Sequence, residues 1–384
     1  MRTGASRRRG DAEMTAQAPT PGREPHRISR APSPYDVLVS PEVEGRDVTF
    51  RIYAPMASDL ALQGDLAEDG PITGYIRSDQ GVWSLQLRDV QPGTYRYQFV
   101  VDKITVPDPR NPTGSPTHTT LMSLVHVDGS ELSIEDIRPL RHGAVSRVYY
   151  HSPIFGGHRS MHVYTPTGYE RGSAHYPVLY LLHGGGDCDA SWSTVGRAGV
   201  ILDNLIAPHL AVPMIVVMPS GHAPGPQTGF PNSPAMTADP ANDPFTADLL
   251  EGVIPHIEGT YRVRTEPEQR ALAGLSMGGV QAANIGLVHA RLFRYLGIFS
   301  SGWFPEVRAE FERRHAETLR AASAQYRLVW TAWGRSDIAR SNSLAMLQMF
   351  DRHGLRYTAT ETEGGHTWMN WRRYLAAFAP LLFR

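Results

Sequence analysis

Six apolar runs, most of them closing on glycine, punctuate residues 145–384: YPVLYLLHGGG, VPMIVVMPSG, RALAGLSMGG, FRYLGIFSSG, YRLVWTAWG and RYTATETEGG. Helix-like segments such as VGRAGVILDNLIA and FTADLLEGVIPHIEGTY lie between several of them. Strands that are apolar on both faces and alternate with helices require a largely parallel sheet with both faces covered. In such a sheet, chemistry is built on the loops at the carboxyl ends of the strands. The glycine-rich strand ends are therefore the places to look for function.

The third run contains G-x-S-x-G, as Gly274, Ser276 and Gly278. This pattern makes a sharp strand-to-helix turn that holds the serine backbone strained and its hydroxyl exposed. A Cβ at Gly274 or Gly278 would collide with the neighbouring strand or helix, and Gly279 lets the helix pack close. The N–H of Met277 falls at the helix start, where it has no intrahelical partner and points at incoming negative charge. One stretch thus supplies a nucleophile and one oxyanion donor.

An activated serine needs a base, and the base needs an orienting carboxylate. Downstream histidines are His289, His315, His353 and His366. Only His366 follows the last strand-like run in a glycine-flanked turn, EGGHTWMNW. His289 and His315 fall in helical stretches, and His353 suits a helix C-terminus. The acid should follow the preceding strand, which places it at Asp337 in WGRSDIARS; Asp351 falls at the end of the next helix. The second oxyanion donor is expected from His183–Gly186, where glycines let backbone approach an anion. Gly185 is the expected donor, and His183 reads as structural. Two long connections leave the same rim: 219–245, rich in Pro, Gly and Asn, and 301–325, which reads as one charged helix. Trp192, His222, Phe230 and Trp368 lie on loops near the rim and are candidate pocket walls.

Residues 35–130 have a different grammar. DVTFRIYAP, GVWSLQLRDV and GTYRYQFVVD alternate apolar and polar residues between turn clusters, which predicts a small antiparallel sandwich closed by the strap VPDPRNPTGSP. Tyr95, Tyr97 and Phe99 share one face; Trp83 and Tyr97 read as its core. Residues 1–34 are basic, then rich in Pro and Ala, with no apolar segment of the export type, and read as a disordered tail. Met14 is an alternative start, and the cytoplasm is the default compartment, with secretion left open.

The net charge of −1 and pI near 7.0 give no reason to expect nucleic acid or an anionic membrane as partner. No apolar run reaches the ~18 residues of a membrane span. The single cysteine, Cys188, excludes an intramolecular disulfide framework. No H-E-x-x-H, C-x-x-C or strand-linked G-x-G-x-x-G occurs, so neither a metal nor a cofactor is expected.

The runs LLHGGGDCDASWSTVGRAGVILDNLIA, PMIVVMPSGHA, ALAGLSMGG and ETEGGHTWMNWRRYLAAFAPLLF together resemble bacterial feruloyl esterases of the esterase D and enterochelin-esterase superfamily. The front part resembles the early-set sandwich that precedes such esterases and glycogen-branching and debranching enzymes, with Lys103 where glycine is common. The resemblance implies an α/β hydrolase over 140–384 behind an immunoglobulin-like sandwich over 35–130, a candidate carbohydrate-binding module. It implies Ser276, Asp337 and His366 as triad, Gly185 and Met277 as oxyanion donors, and hydroxycinnamoyl esters of plant sugars as substrates. Acetylated sugars, siderophore trilactones and synthetic aromatic esters stay open. So do an acyltransferase with the same triad and a carbohydrate-binding protein whose hydrolase domain is inert. All the catalytic elements lie after residue 180, so a chain beginning near residue 140, if soluble, is expected to cleave a small ester at a rate within about tenfold of the full chain.

Overall fold

The computed structural model describes residues 33–67, 70–129, 133–224 and 237–384. The tail reading for residues 1–34 lies almost wholly outside the described residues, as does Phe230. All six apolar runs form strands of one eight-stranded sheet. Its spatial order is Ala144–Ser152, Gly157–Thr165, Ile215–Pro219, Val178–Leu182, Arg270–Leu275, Tyr295–Phe299, Leu328–Gly334 and Thr358–Thr362. The first two strands form an antiparallel hairpin that the sequence reading did not mark, and the other six run parallel. Every residue of the Val178–Leu182, Ile215–Pro219, Arg270–Leu275 and Tyr295–Phe299 strands is buried. That burial on both faces explains why these runs carry no polar alternation. One apolar cluster, including Phe245, Leu249 and Ile285, lies on one face, and a second, including Ile201, Trp371 and Phe378, on the other.

The front part is a sandwich of two antiparallel sheets. One holds Glu42–Glu44, Asp47–Tyr53, Val82–Leu87 and Ile76–Arg77; the other holds Leu60–Gly64, Gly93–Val101, Leu121–Val127 and Gly114–Pro116, with Ile104–Val106 on the Gly93–Val101 strand. Tyr95, Tyr97 and Phe99 are buried in its core, and Trp83 packs at the margin with its indole N–H on Ala54 O at 3.0 Å. The proline-rich strap does not close this sheet. It returns through Gly114–Pro116 into the Leu121–Val127 strand because Asp108 anchors it, accepting from Ser40 Oγ at 2.6 Å and Tyr97 Oη at 2.8 Å. Lys103, at the tip of the Gly93–Val106 hairpin, itself takes the positive φ of 72° that glycine would supply.

Candidate active site

The turn at Ser276 follows from steric exclusion. Ser276 joins the Arg270–Leu275 strand to the Met277–Val288 helix with φ 52° and ψ −117°, a conformation side chains rarely adopt. A Cβ at Gly274 would lie 2.2 Å from Gly278 O, and one at Gly278 would lie 2.4 Å from His183 O. The strain is held by Ser276 N–H donating to Phe299 O at 2.9 Å and by Ser301 Oγ donating to Ser276 O at 2.7 Å.

His366 stands in the loop between Thr358–Thr362 and the Trp368–Phe378 helix. Its Nε2 lies 3.0 Å from Ser276 Oγ and its Nδ1 lies 2.8 Å from Asp337 Oδ1. Asn370 fixes this loop by donating to Gly365 O at 2.9 Å and Glu363 O at 3.1 Å. Asp337 follows the Leu328–Gly334 strand, and its carboxylate is fully buried. Burial opposes its ionisation. The hydrogen bond and charge of His366, the Ser300 hydroxyl and the Ala339 N–H outweigh that penalty and hold its pKa below the ordinary value. Trp371 packs edge-on to the His366 ring, with centroids 5.0 Å apart, and donates its indole N–H to Ser300 Oγ at 3.0 Å. Ser300 and Trp371 escaped the sequence reading; the only trace of Ser300 was a polar residue at a strand end. The other histidines stand apart from this group: His353, for instance, caps the Arg340–Arg352 helix and meets Glu312 at 3.0 Å.

Gly184–Asp187 forms a tight turn closed by Asp187 N–H on Gly184 O at 3.1 Å. A Cβ on Gly184 would come 3.5 Å from Ser276 Cβ, and one on Gly185 would come 3.9 Å from Met277 Cβ. The turn thus lies against the serine and the following helix start. Among the described residues, neither Gly185 N–H nor Met277 N–H has a protein acceptor. His183 is buried beneath them. Its Nδ1 donates to Gly184 O at 2.8 Å and its Nε2 accepts from Gly221 N–H at 2.9 Å. Burial pushes its pKa down to about 4.

Two clefts meet at Ser276 and His366. One, of about 250 Å³, is walled by Met277, Val280, Phe304, Ile338, Ala339 and Asn342. The other, of about 310 Å³, is bounded by Gly184–Gly186 and by Arg96, Thr117, Thr120 and Met122 from the sandwich. Three of the candidate wall residues need correction. Trp192 is 1 % exposed and donates its indole N–H to Leu182 O at 3.0 Å; its edge packs on Trp368, itself 3 % exposed. Both are core: the Trp192 ring turns inward from its rim loop, and the Trp368 ring turns inward from the first turn of the Trp368–Phe378 helix. His222 lies outside both clefts: it is buried behind the glycine turn, packs against His118 with centroids 4.0 Å apart and ring planes tilted by 44°, and donates from Nε2 to Asp187 O at 3.1 Å. Among the described residues, His126, Asp128 and Asp136 bring potential cation ligands together; none of them lines either cleft.

Comparison with known proteins agrees with this architecture. The model of the Esterase family matches residues 152–382, and that of Carbohydrate-binding module 48 (isoamylase N-terminal domain) matches residues 35–114. A curated relative, the endo-1,4-beta-xylanase/feruloyl esterase of Xylanibacter ruminicola, is 29 % identical over 388 residues, covering 97 % of this chain and 49 % of the relative. The chain therefore spans about half the length of that relative. A solved ferulic acid esterase is 25 % identical with a TM-score of 0.55, covering 63 % of this chain and 98 % of that one. The enterobactin esterase of Shigella flexneri shares the fold over both parts, at 16 % identity and a TM-score of 0.61, covering 88 % of this chain and 94 % of that one. With its family model spanning more than half of the sequence, this chain belongs to the Esterase family.

Proposed function

We propose that the chain hydrolyses carboxylic esters through an acyl-enzyme on Ser276, with hydroxycinnamoyl esters of carbohydrates as its substrate class. The observation that carries this reading is the span of the His366 ring, 3.0 Å from Ser276 Oγ on one side and 2.8 Å from Asp337 Oδ1 on the other. In this mechanism Ser276 Oγ attacks the ester carbonyl while His366 Nε2 takes its proton. Asp337 holds the Nδ1–H tautomer and stabilises the imidazolium. The N–H groups of Met277 and Gly185 receive the oxyanion. As the tetrahedral species collapses, His366 returns the proton to the departing alcohol, and water then repeats the sequence on the acyl-enzyme.

The two clefts differ in the direction that this substrate class requires. The wall of Met277, Val280, Phe304, Ile338 and Ala339 suits a flat aromatic acyl group, and the side bearing Arg96, Thr117 and Thr120 suits a polyhydroxylated alcohol. The names of the Xylanibacter relative and of the solved ferulic acid esterase support the same class. The test is a panel of 4-nitrophenyl acetate, 4-nitrophenyl butyrate, methyl ferulate and a feruloylated arabinose, each with Ser276→Ala as control. The highest kcat/KM is expected on the feruloyl esters, with no turnover by Ser276→Ala. A preference for acetate over every feruloyl ester would overturn the assigned acyl group.

A further inference from the structure

The oxyanion turn carries three consecutive glycines, the residues that lose most conformational freedom on ordering. Something outside the turn must therefore hold it. Part of the restraint comes from His183 and His222 beneath it. The rest comes from the sandwich. Arg96 NH1 lies 2.7 Å from Asp187 Oδ1, His118 N–H donates to Gly186 O at 3.1 Å, and Cys188 Sγ donates to Pro116 O at 3.3 Å. Arg96 is rooted in its own sheet, where its backbone N–H donates to Asp65 Oδ2 at 2.9 Å and its guanidinium Nε stands 3.5 Å from the same oxygen. The Arg96–Asp187 pair is enclosed, with side chains 14 % and 7 % exposed. Asp187 Oδ2 also lies only 3.2 Å from the position of a Cβ on Gly184, so its charge stands against the turn that would receive an oxyanion.

We infer that the sandwich is a positioning element of the ester-cleaving site: Arg96 holds the Gly184–Gly186 turn through Asp187 and neutralises the charge of Asp187 beside the developing oxyanion. This rests on the reading of Ser276 as nucleophile. Arg96 is a positioning residue, because it acts through Asp187 and not on the reacting atoms. Two consequences separate the inference from a merely structural role and from a role in holding the sugar. Loss of Arg96 falls on the transition state, so it lowers kcat even for an ester too small to reach the sandwich wall. It also leaves Asp187 charged and unpaired, so removing that charge restores part of the rate.

The experiment uses the full chain and 4-nitrophenyl acetate. Arg96→Ala is expected to lower kcat on the order of tenfold to a hundredfold with KM within about twofold, the pattern of an interaction made only in the transition state. Affinity for an aryl trifluoromethyl ketone, which forms the tetrahedral adduct on Ser276, should fall in parallel, while inhibition by the neutral amide of ferulic acid, which brings no charge to the turn, stays unchanged. Arg96→Ala/Asp187→Asn should be faster than Arg96→Ala alone, and Arg96→Lys should keep most of the rate. If Arg96→Ala does not fold, Arg96→Met and Arg96→Met/Asp187→Asn carry the same comparison. An unchanged kcat on acetate, with loss confined to KM for feruloylated sugars, overturns the inference and leaves the sandwich a binding wall. An equal rate for Arg96→Ala and its Asp187→Asn double variant overturns the electrostatic part. A wild-type chain that cleaves no ester refutes the Ser276 reading itself, so the two failures are distinguishable.

Discussion

At the scale of single residues, the two aspartates after residue 326 make opposite predictions. Asp337 is fully buried against His366, whereas Asp351 sits at the end of the Arg340–Arg352 helix and accepts from Tyr357 Oη at 2.9 Å. Asp337→Asn keeps the volume but favours the wrong His366 tautomer, and kcat on any cleaved ester should fall by ~10⁴-fold. Asp351→Asn should change kcat by less than about twofold, since it touches no group that reacts. Steady-state kinetics on the two variants checks both; reversed outcomes would mean that the carboxylate orienting His366 is misassigned. Ser276, Asp337 and His366 could be picked out in the sequence because each stands at a strand end with glycine nearby and in a fixed order. Ser300 and Trp371 could not, because their contribution is a contact between a strand end and a helix 71 residues apart in sequence. Trp192 and Trp368 misled for a related reason. Proximity to the rim in sequence says nothing of which way a ring points, and the Trp192 indole N–H is readily buried because it reaches Leu182 O.

At the scale of elements, the Ser276 elbow and the Gly184–Asp187 turn lock one another. Gly278 N–H donates to His183 O at 3.1 Å, the same oxygen that a Cβ on Gly278 would meet at 2.4 Å. Gly278→Ala must therefore push the two elements apart. Its stability should fall by about 2 kcal/mol or more, in the range of an overpacked core, with activity falling further because both proposed oxyanion donors, Gly185 and Met277, shift. Chemical denaturation alongside kinetics measures each loss. The histidines beneath the turn set an acid limit. Burial depresses His183 to about 4 and His222 to about 3, from the ordinary 6.5. Below pH 6.5 the unfolded chain takes up protons that these folded imidazoles refuse, so the stability they contribute is complete above about pH 6.5 and is lost as pH falls towards 4. For His183 the lost amount is on the order of 3 kcal/mol, from 1.36 kcal/mol per pKa unit. Protonated Nε2 could also no longer accept from Gly221 N–H. Urea melts at pH 7.5, 6.0 and 4.5 should show this decline, and His183→Asn should flatten it. The sequence marked His183 as structural because it precedes the glycines. It read His222 as a pocket wall and not as a support of the turn, because that role depends on the fold bringing residues 187 and 222 together.

At the scale of the whole molecule, the sequence reading divides the chain near residue 140 and assigns all the chemistry to the second part. The two parts are more tightly joined than periodicity could indicate, because periodicity reports which face of an element is buried and not against what. Leu124 and Ile134 pack into the core built around Trp192 and Phe378, and Met369 packs against the core of the sandwich. Between them lies Arg372, 1 % exposed, donating to Thr94 O at 3.0 Å and to Val195 O at 3.1 Å while Glu135 supplies its counter-charge. A chain beginning at residue 140 keeps Arg372 but loses both Thr94 and Glu135. A buried guanidinium without its partner costs about 3–5 kcal/mol. In a chain of this size that lowers the melting temperature by about 10 °C or more, before counting the apolar surface uncovered. The shortened chain should therefore aggregate on expression or melt well below the full chain. Arg372→Met within the shortened chain should recover part of the loss, because a thioether can be buried without a counter-charge. In the full chain the same substitution should destabilise, because it strands Glu135 at the junction. Thermal melts of the four proteins decide the matter. If the shortened chain melted with the full one and cleaved 4-nitrophenyl acetate at the same rate, neither the shared core nor the hold of Arg96 on the glycine turn would matter, and the sandwich would be an appended module after all.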